Sequence, residues 1–219
     1  KYMIPVILLS DGYIANGSEP WKIPDIDSLP EIETRLTQKK EGFAPFLHDN
    51  PNLSRPWALP GTPGMEHRVG GLEKWEETGH VSYDPENHQK MVELRQQKVD
   101  VIANDIALAK AFGKGNGDLL VIGWGGTHGA LRSAVESAQK KGMSVSHLHL
   151  RHLNPLPRNL GEILVKFQKV MIAELNMGQL AAIIRSKFLV DTVSLNKIQG
   201  KPFTITEVFN KITELVKGA

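Results

Sequence analysis

The residues best placed to do chemistry lie where apolar runs give way to polar loops. Gly123-Trp-Gly-Gly-Thr-His-Gly129 follows the run Leu119 to Ile122 and precedes a helical pattern. Backbone N–H groups at a helix start can hold an anion, so Gly123, Gly125, Gly126, Thr127 and His128 are candidates for a phosphate or coenzyme A contact. The stretch is not a P-loop, because no Gly-Lys-Ser/Thr follows. Nor is it a dinucleotide fingerprint, since His128 and Gly129 break the glycine spacing and no acidic residue ends the next strand. The plainer alternatives are a tight turn with close helix packing, or a contact to a neighbouring subunit.

Two further loops end apolar runs. One offers Arg151 and His152, which suit a carboxylate or phosphate; the other offers Glu174, Asn176 and Gln179. In an open parallel sheet ligands collect beyond the carboxyl ends of the strands, so these loops and Gly123 to His128 are expected to converge. Glu174 and Asn176 could equally satisfy loop and helix-cap backbone groups. Near the start, Asp11, Tyr13, Asn16 and Glu19 follow another apolar run and could line a substrate or subunit contact. An Asx-type turn explains them as well. His67, His80 and His88, with Glu66, lack any metal-ligand spacing, and no metal centre is expected. His147 and His149 fall on one side of a strand, where hydrogen bonding is expected rather than catalysis. No Gly-x-Ser-x-Gly elbow supports acyl transfer.

The elements that must position these residues form an α/β pattern. Leu119 to Ile122, Val145 to Leu150, Val170 to Ala173 and Asp191 to Leu195 read as strands. Helices between them carry Leu131, Ala134, Val135 and Ala138 on one face, and residues 180–188. The alternation predicts a mainly parallel open sheet with helices on both faces. Thr204 and Glu207 form a capping-box pattern for a last helix with Val208, Ile212, Leu215 and Val216 on its core face. Asp84-Pro85-Glu86 opens a helix that should reach Phe112, with Val99, Ile102, Ile106 and Ala109 on one face. Residues 21–83 are dense in turn formers and read as an extended connector, anchored by Trp21, Phe43, Phe46 and Trp57. Met3 to Ser10 reads as a buried strand whose neighbours would belong to a preceding domain, so the chain is expected to be the later portion of a longer polypeptide.

The chain has 219 residues, 41% hydrophobic and 23% charged, ordinary values for a globular protein. A formal net charge of +2 gives no reason to expect nucleic acid or an anionic membrane surface. Apolar runs are far shorter than the roughly 20 residues of a membrane helix, and a cytoplasmic protein is the default. There is no cysteine in these 219 residues, so any thiolate-bound iron–sulfur cluster must sit elsewhere.

Several segments together resemble one family: Pro5 to Trp21, Pro60 to Glu73 running on through Gly79 to Arg95, Gly142 to Pro157, and Glu174-Leu-Asn-Met-Gly-Gln-Leu180. In order and spacing they are similar to the alpha subunit of 2-oxoglutarate and other 2-oxoacid:ferredoxin oxidoreductases. The resemblance implies the end of a pyrimidine-binding domain in residues 1–20, a connector in 21–83, and a transketolase C-terminal-like domain in 84–219. It implies oxidative decarboxylation of a 2-oxoacid with thiamine diphosphate and Mg²⁺, formation of an acyl-coenzyme A, and reduction of ferredoxin. In that family a beta subunit carries the diphosphate motif and the cluster cysteines. This chain has neither, and the catalytic glutamate region would lie upstream of Lys1, so no catalytic residue is carried over. The implied role is structural and subunit-contacting, in an oligomer, and inactive alone. A nucleotide- or coenzyme A-binding module and a ligand-free assembly domain are the alternatives.

Overall fold

The computed structural model describes residues 1–32, 34–48 and 50–217; residues 218 and 219 of the expected last domain lie outside the described residues. Along the chain the elements are α1 (Gly12–Ala15), β1 (Leu36–Thr37), β2 (Trp57–Ala58), α2 (Pro85–Asp100), β3 (Gly117–Trp124), α3 (His128–Lys140), β4 (Val145–Leu150), α4 (Leu160–Leu164), β5 (Phe167–Glu174), α5 (Gln179–Phe188), β6 (Thr192–Asn196) and α6 (Ile205–Lys217). They fall into two compact units. One comprises residues 1–6 and 19–105, the other residues 7–18 and everything from 106 on.

In the second unit four parallel strands lie in the order β4-β3-β5-β6, with Val121 opposite His147 on one side and Met171 on the other. Leu119, Leu120, Val121 and Ile122 are all 0% exposed, which explains why the strand is a continuous apolar run rather than an alternating one. Leu120 and Ile122 pack with Leu160 and Leu164 of α4 and Leu180 and Ile184 of α5. On the opposite face Leu119 and Val121 pack with Leu131, Ala134, Val135 and Ala138 of α3 and Val208 and Ile212 of α6. Full burial of each such Leu or Ile stabilises by about 1.5–3 kcal/mol, so two covered faces can carry polar loops at the strand ends.

The helix starts follow the sequence reading. At α6 the Thr204 N–H donates to Glu207 Oε2 at 2.7 Å and the Glu207 N–H donates to Thr204 Oγ1 at 3.2 Å, the two halves of a capping box. The outer edge of β4 is met by Phe112, whose N–H donates to the His147 carbonyl at 2.7 Å and whose carbonyl accepts from the His147 N–H at 2.9 Å.

The first unit holds a two-strand parallel pair, β1 with β2, and the long helix α2. Asp84 caps α2 by accepting from the Asn87 N–H at 2.7 Å. The buried face is Asn87, Met91 and Lys98, not the expected row from Val99 to Ala109. The helix stops at Asp100, not Phe112, where a 3-10 turn at Val101–Asn104 takes over. The boundary expected at residue 84 also moves, since α2 is compact with the connector. Buried Lys74 ties the connector together: its Nζ donates to the carbonyls of Gly70 and Leu72, each at 2.6 Å, and its own carbonyl accepts from Asn87 Nδ2 at 3.0 Å.

Two expectations fail here. Met3 to Ser10 forms no strand among the described residues; Val6, Ile7 and Leu8 are more than 80% exposed, since a lone segment has no neighbour with which to build a ladder. Trp21 is no anchor, at 78% exposed, whereas Phe43 and Phe46 pack edge-on against His67. No helix of the described residues is long and apolar enough to cross a membrane.

Candidate functional site

Beyond the carboxyl ends of β3 and β5 lies a cleft of about 410 Å³, lined by Leu8 to Asp11, Trp124 to Thr127, Leu175 and Asn176. Five of the sequence candidates meet here: Asp11, Gly125, Gly126, Thr127 and Asn176. Asp11 caps α1 by accepting from the Tyr13 N–H at 2.8 Å, and its carboxylate lies against Gly126. A Cβ on Gly126 would come within 2.2 Å of Asp11 Oδ2, so a side chain there would require Asp11 to move.

Gly123 answers to packing. A Cβ there would sit 2.2 Å from Leu131 Cδ1 and 2.5 Å from Thr127 Oγ1, which is the close strand–helix approach that only glycine allows. Gly125 has φ +59°, and the buried Thr127 hydroxyl donates to the Trp124 carbonyl at 2.9 Å. No side chain caps α3.

The third loop does not converge with the other two. Arg151 and His152 are exposed and do not line the cleft, because the strand order puts β4 on the outside, beyond β3 from β5. Tyr13 is 69% exposed, Asn16 is spent on the Gly12 carbonyl, and Gln179 starts α5 facing solvent. His128 turns away to join His147 and His149, with ring centres 5.5 and 4.9 Å away.

Glu174 ends β5 fully buried, and its carboxylate accepts from the N–H groups of Leu180 at 2.8 Å and Ala181 at 2.9 Å and from the indole of Trp124 at 3.3 Å. It caps α5, whose own N-cap is Gly178. Asn176 Oδ1 accepts from the N–H groups of Gly178 at 2.8 Å and Gln179 at 3.3 Å. Both side chains therefore serve the backbone. The histidines do not make the hydrogen bonds expected of them: His147 Nε2 and His149 Nδ1 are buried without a partner. Burial, then the neighbouring His128, lowers His147 to about 3 and His149 to about 4, so both rings are neutral near pH 7. Of the loop histidines, His67 Nδ1 lies 2.9 Å from the Met65 carbonyl and His88 Nδ1 lies 2.8 Å from Glu73. Among the described residues no group of three His, Asp or Glu side chains is gathered as a metal site requires. Sequence reasoning missed Leu8, Leu9, Ser10 and Leu175 as cleft walls; an apolar run continuing straight into a polar loop was the available clue.

Residues 117–208 match the family model of the pyruvate:ferredoxin oxidoreductase core domain II. The chain is 47% identical, over its whole length and 33% of the relative's, to the 2-oxoglutarate oxidoreductase subunit KorA of Mycobacterium tuberculosis. It is 28% identical to the alpha subunit of 2-oxoacid:ferredoxin oxidoreductase 1 of Aeropyrum pernix, covering 99% of this chain and 35% of that one. A solved 2-oxoglutarate:ferredoxin oxidoreductase from Magnetococcus marinus, with 2-oxoglutarate, coenzyme A and succinyl-CoA bound, superposes with a TM-score of 0.80 at 28% identity, covering 88% of this chain and 34% of that one. With its parallel sheet and its end-to-end similarity to these proteins, the chain belongs to the alpha subunits of the 2-oxoacid:ferredoxin oxidoreductases, and it spans about a third of the length of the relatives named here.

Proposed function

We propose that the chain is part of the alpha subunit of a thiamine diphosphate-dependent oxidoreductase that decarboxylates a 2-oxoacid, 2-oxoglutarate by our assignment, to an acyl-coenzyme A and reduces ferredoxin. The observation that carries this reading is the 47% identity to a 2-oxoglutarate oxidoreductase subunit, sustained over all 219 residues. Thiamine diphosphate would supply the carbanion chemistry. The residues present do not fit that group or an iron–sulfur cluster: the sequence has no cysteine and no Gly-Asp-Gly diphosphate motif. No step is therefore assigned to this chain through either; a beta subunit would bring both, together with Mg²⁺, in a cytoplasmic oligomer.

The chain's own part is to position. In this reading residues 1–20 belong with a pyrimidine-binding domain, where the exposed run from Val6 to Leu9 would find its strand neighbours, and the part of 84–219 from residue 106 on forms a transketolase C-terminal-like domain. Asp11 beside Gly126 favours a donor group over a phosphate in the cleft, so a subunit contact through Asp11, Asn176 and the nearby Tyr13, Asn16 and Gln179 is the first reading, with Arg151 and His152 offering a separate exposed contact at the end of β4. A coenzyme A contact at Gly123, Gly125, Gly126, Thr127 and His128 is the second, supported by the uncapped start of α3.

The test is anaerobic capture of the tagged protein from its native lysate, with iron and thiamine diphosphate assays and coenzyme A-dependent ferredoxin reduction by 2-oxoglutarate, pyruvate and branched-chain 2-oxoacids. Recovery of a cysteine-bearing partner and turnover of 2-oxoglutarate above the others is expected, with no turnover by this chain alone. A folded chain that recovers no such partner would overturn the reading, and preference for pyruvate would overturn the substrate.

A further inference from the structure

Within the second unit three histidine rings meet where β4 passes under the start of α3. His147 and His149 lie two residues apart on β4, so their side chains leave the same face of the sheet. Val121, the neighbour of His147 across the ladder, packs against α3 on that face, and His128 is the first residue of α3. The three ring centres lie 4.9, 5.5 and 6.2 Å apart. His147 is 2% exposed, and its Nε2 and the Nδ1 of His149 are buried without a partner. A buried polar atom of this kind costs stability unless something completes it.

The spacing is that of ligands around a small cation. A zinc–nitrogen bond of about 2.0–2.1 Å and the size of the ring put each imidazole centre about 3.2 Å from the ion, and a tetrahedral angle then sets two centres about 5.2 Å apart. As the side chains stand they are not gathered as metal ligands. Direction is lacking rather than distance: the outer torsion of histidine is broad, and turning a ring about its Cβ–Cγ bond re-aims both nitrogens while the centre hardly moves. Imidazoles that are neutral near pH 7, as burial makes His147 and His149, have no proton to give up before they bind a metal. Of the nearby cations, Arg132 is offset by Glu136 at 2.7 Å and Arg151 is exposed to water. His128 is exposed at the rim, which gives an ion a way in.

We propose that His128, His147 and His149 bind one Zn²⁺ ion through three imidazole nitrogens, with water in the fourth position. The ion ties the start of α3 to β4. The site uses none of the residues that line the cleft beyond β3 and β5.

The test adds Zn²⁺ to the intact protein, purified without a histidine tag, removes free metal by gel filtration and counts what is retained by mass spectrometry. Wild type should hold about one Zn²⁺ per chain more than His128→Ala, and absorption at the zinc X-ray edge should show three imidazole nitrogens at about 2.0–2.1 Å. His128→Ala and His149→Gln should each weaken zinc binding about tenfold or more, whereas His80→Ala, on a loop of the first unit, should leave it unchanged. Without zinc, His128→Ala should melt with wild type, and only wild type should gain stability when zinc is added, which separates lost binding from lost folding. No retained zinc, fewer than three imidazoles on the ion, or affinity unchanged in His128→Ala and His149→Gln would each overturn the proposal. So would an equal loss in His80→Ala, which would mean that scattered surface histidines hold the metal.

Discussion

Replacing Glu174 decides whether a fully buried carboxylate stabilises this fold or burdens it. Its oxygens satisfy two backbone N–H groups at the start of α5 and the Trp124 indole. Each buried donor left without a partner costs about 1–3 kcal/mol, and loss of an N-cap costs about 1 kcal/mol. Against this stands the desolvation of a carboxylate, several kcal/mol before its partners compensate it. With the helix N-terminus adding favourable charge, the hydrogen bonds should win. Glu174→Ala is therefore expected to destabilise by about 3 kcal/mol. Glu174→Gln keeps the volume but turns one NH₂ towards a donor, and should cost about 2 kcal/mol. Denaturant unfolding followed by circular dichroism gives the stability, and hydrogen exchange gives the site. Exchange at Leu180 and Ala181 should quicken by about a hundredfold in Glu174→Ala, at 1.36 kcal/mol per tenfold, or more if opening is local. A Glu174→Gln protein as stable as wild type, with those two amides still protected, would mean that desolvation cancels the bonds and that Glu174 is not the cap.

Stability should fall with acid in a defined window. His147 titrates near 3 when folded against 6.5 when unfolded, so the unfolded chain takes up a proton that the fold refuses, and stability declines as pH drops below about 6.5 and on towards 3. Between pH 7 and pH 5 this amounts to about 2 kcal/mol, and His149, lowered to about 4, adds a similar amount, so His147→Leu should remove about half of the loss in melts at the two pH values; an unchanged slope would contradict it. Gly123→Ala should cost about 1–3 kcal/mol, because its methyl would collide with Leu131 and Thr127, both buried; a neutral result in thermal melts would mean that β3 and α3 can move apart. Thr204→Ala should lower stability by about 1 kcal/mol through loss of the α6 cap, and equal melting of variant and wild type would mean the cap is redundant.

What could be read from the sequence was local. The capping box of Thr204 and Glu207, the apolar run from Leu119 to Ile122 and the face of Leu131, Ala134, Val135 and Ala138 are set by neighbours a few residues apart, and the structure reproduces them. What could not be read depends on distant partners. The periodic row Val99, Ile102, Ile106 and Ala109 looks helical, yet the helix ends at Asp100 and a 3-10 turn at Val101–Asn104 breaks the row. Alternating strands and helices do not fix strand order, so the exclusion of Arg151 and His152 from the cleft appeared only with β4 at the edge. The meeting of Asp11 with Gly126 spans more than a hundred residues, and nothing near either residue announces it. Lys98 reads as a solvated charge seven residues after Met91, two helical turns along the same buried face.

Phe112 also settles a question of solubility. β4 is an outer strand, and an uncovered outer strand offers its free N–H and C=O groups to any extended chain that drifts alongside, the first step of edge-to-edge aggregation. By exchanging both hydrogen bonds with His147, Phe112 occupies the edge near its middle and breaks the row of free groups that an incoming strand would need. Arg132 lies over the face of the Phe112 ring, adding a positive charge at the same place. The segment after α2, irregular as it is, thus acts as a guard rail that keeps the sheet from growing in that direction.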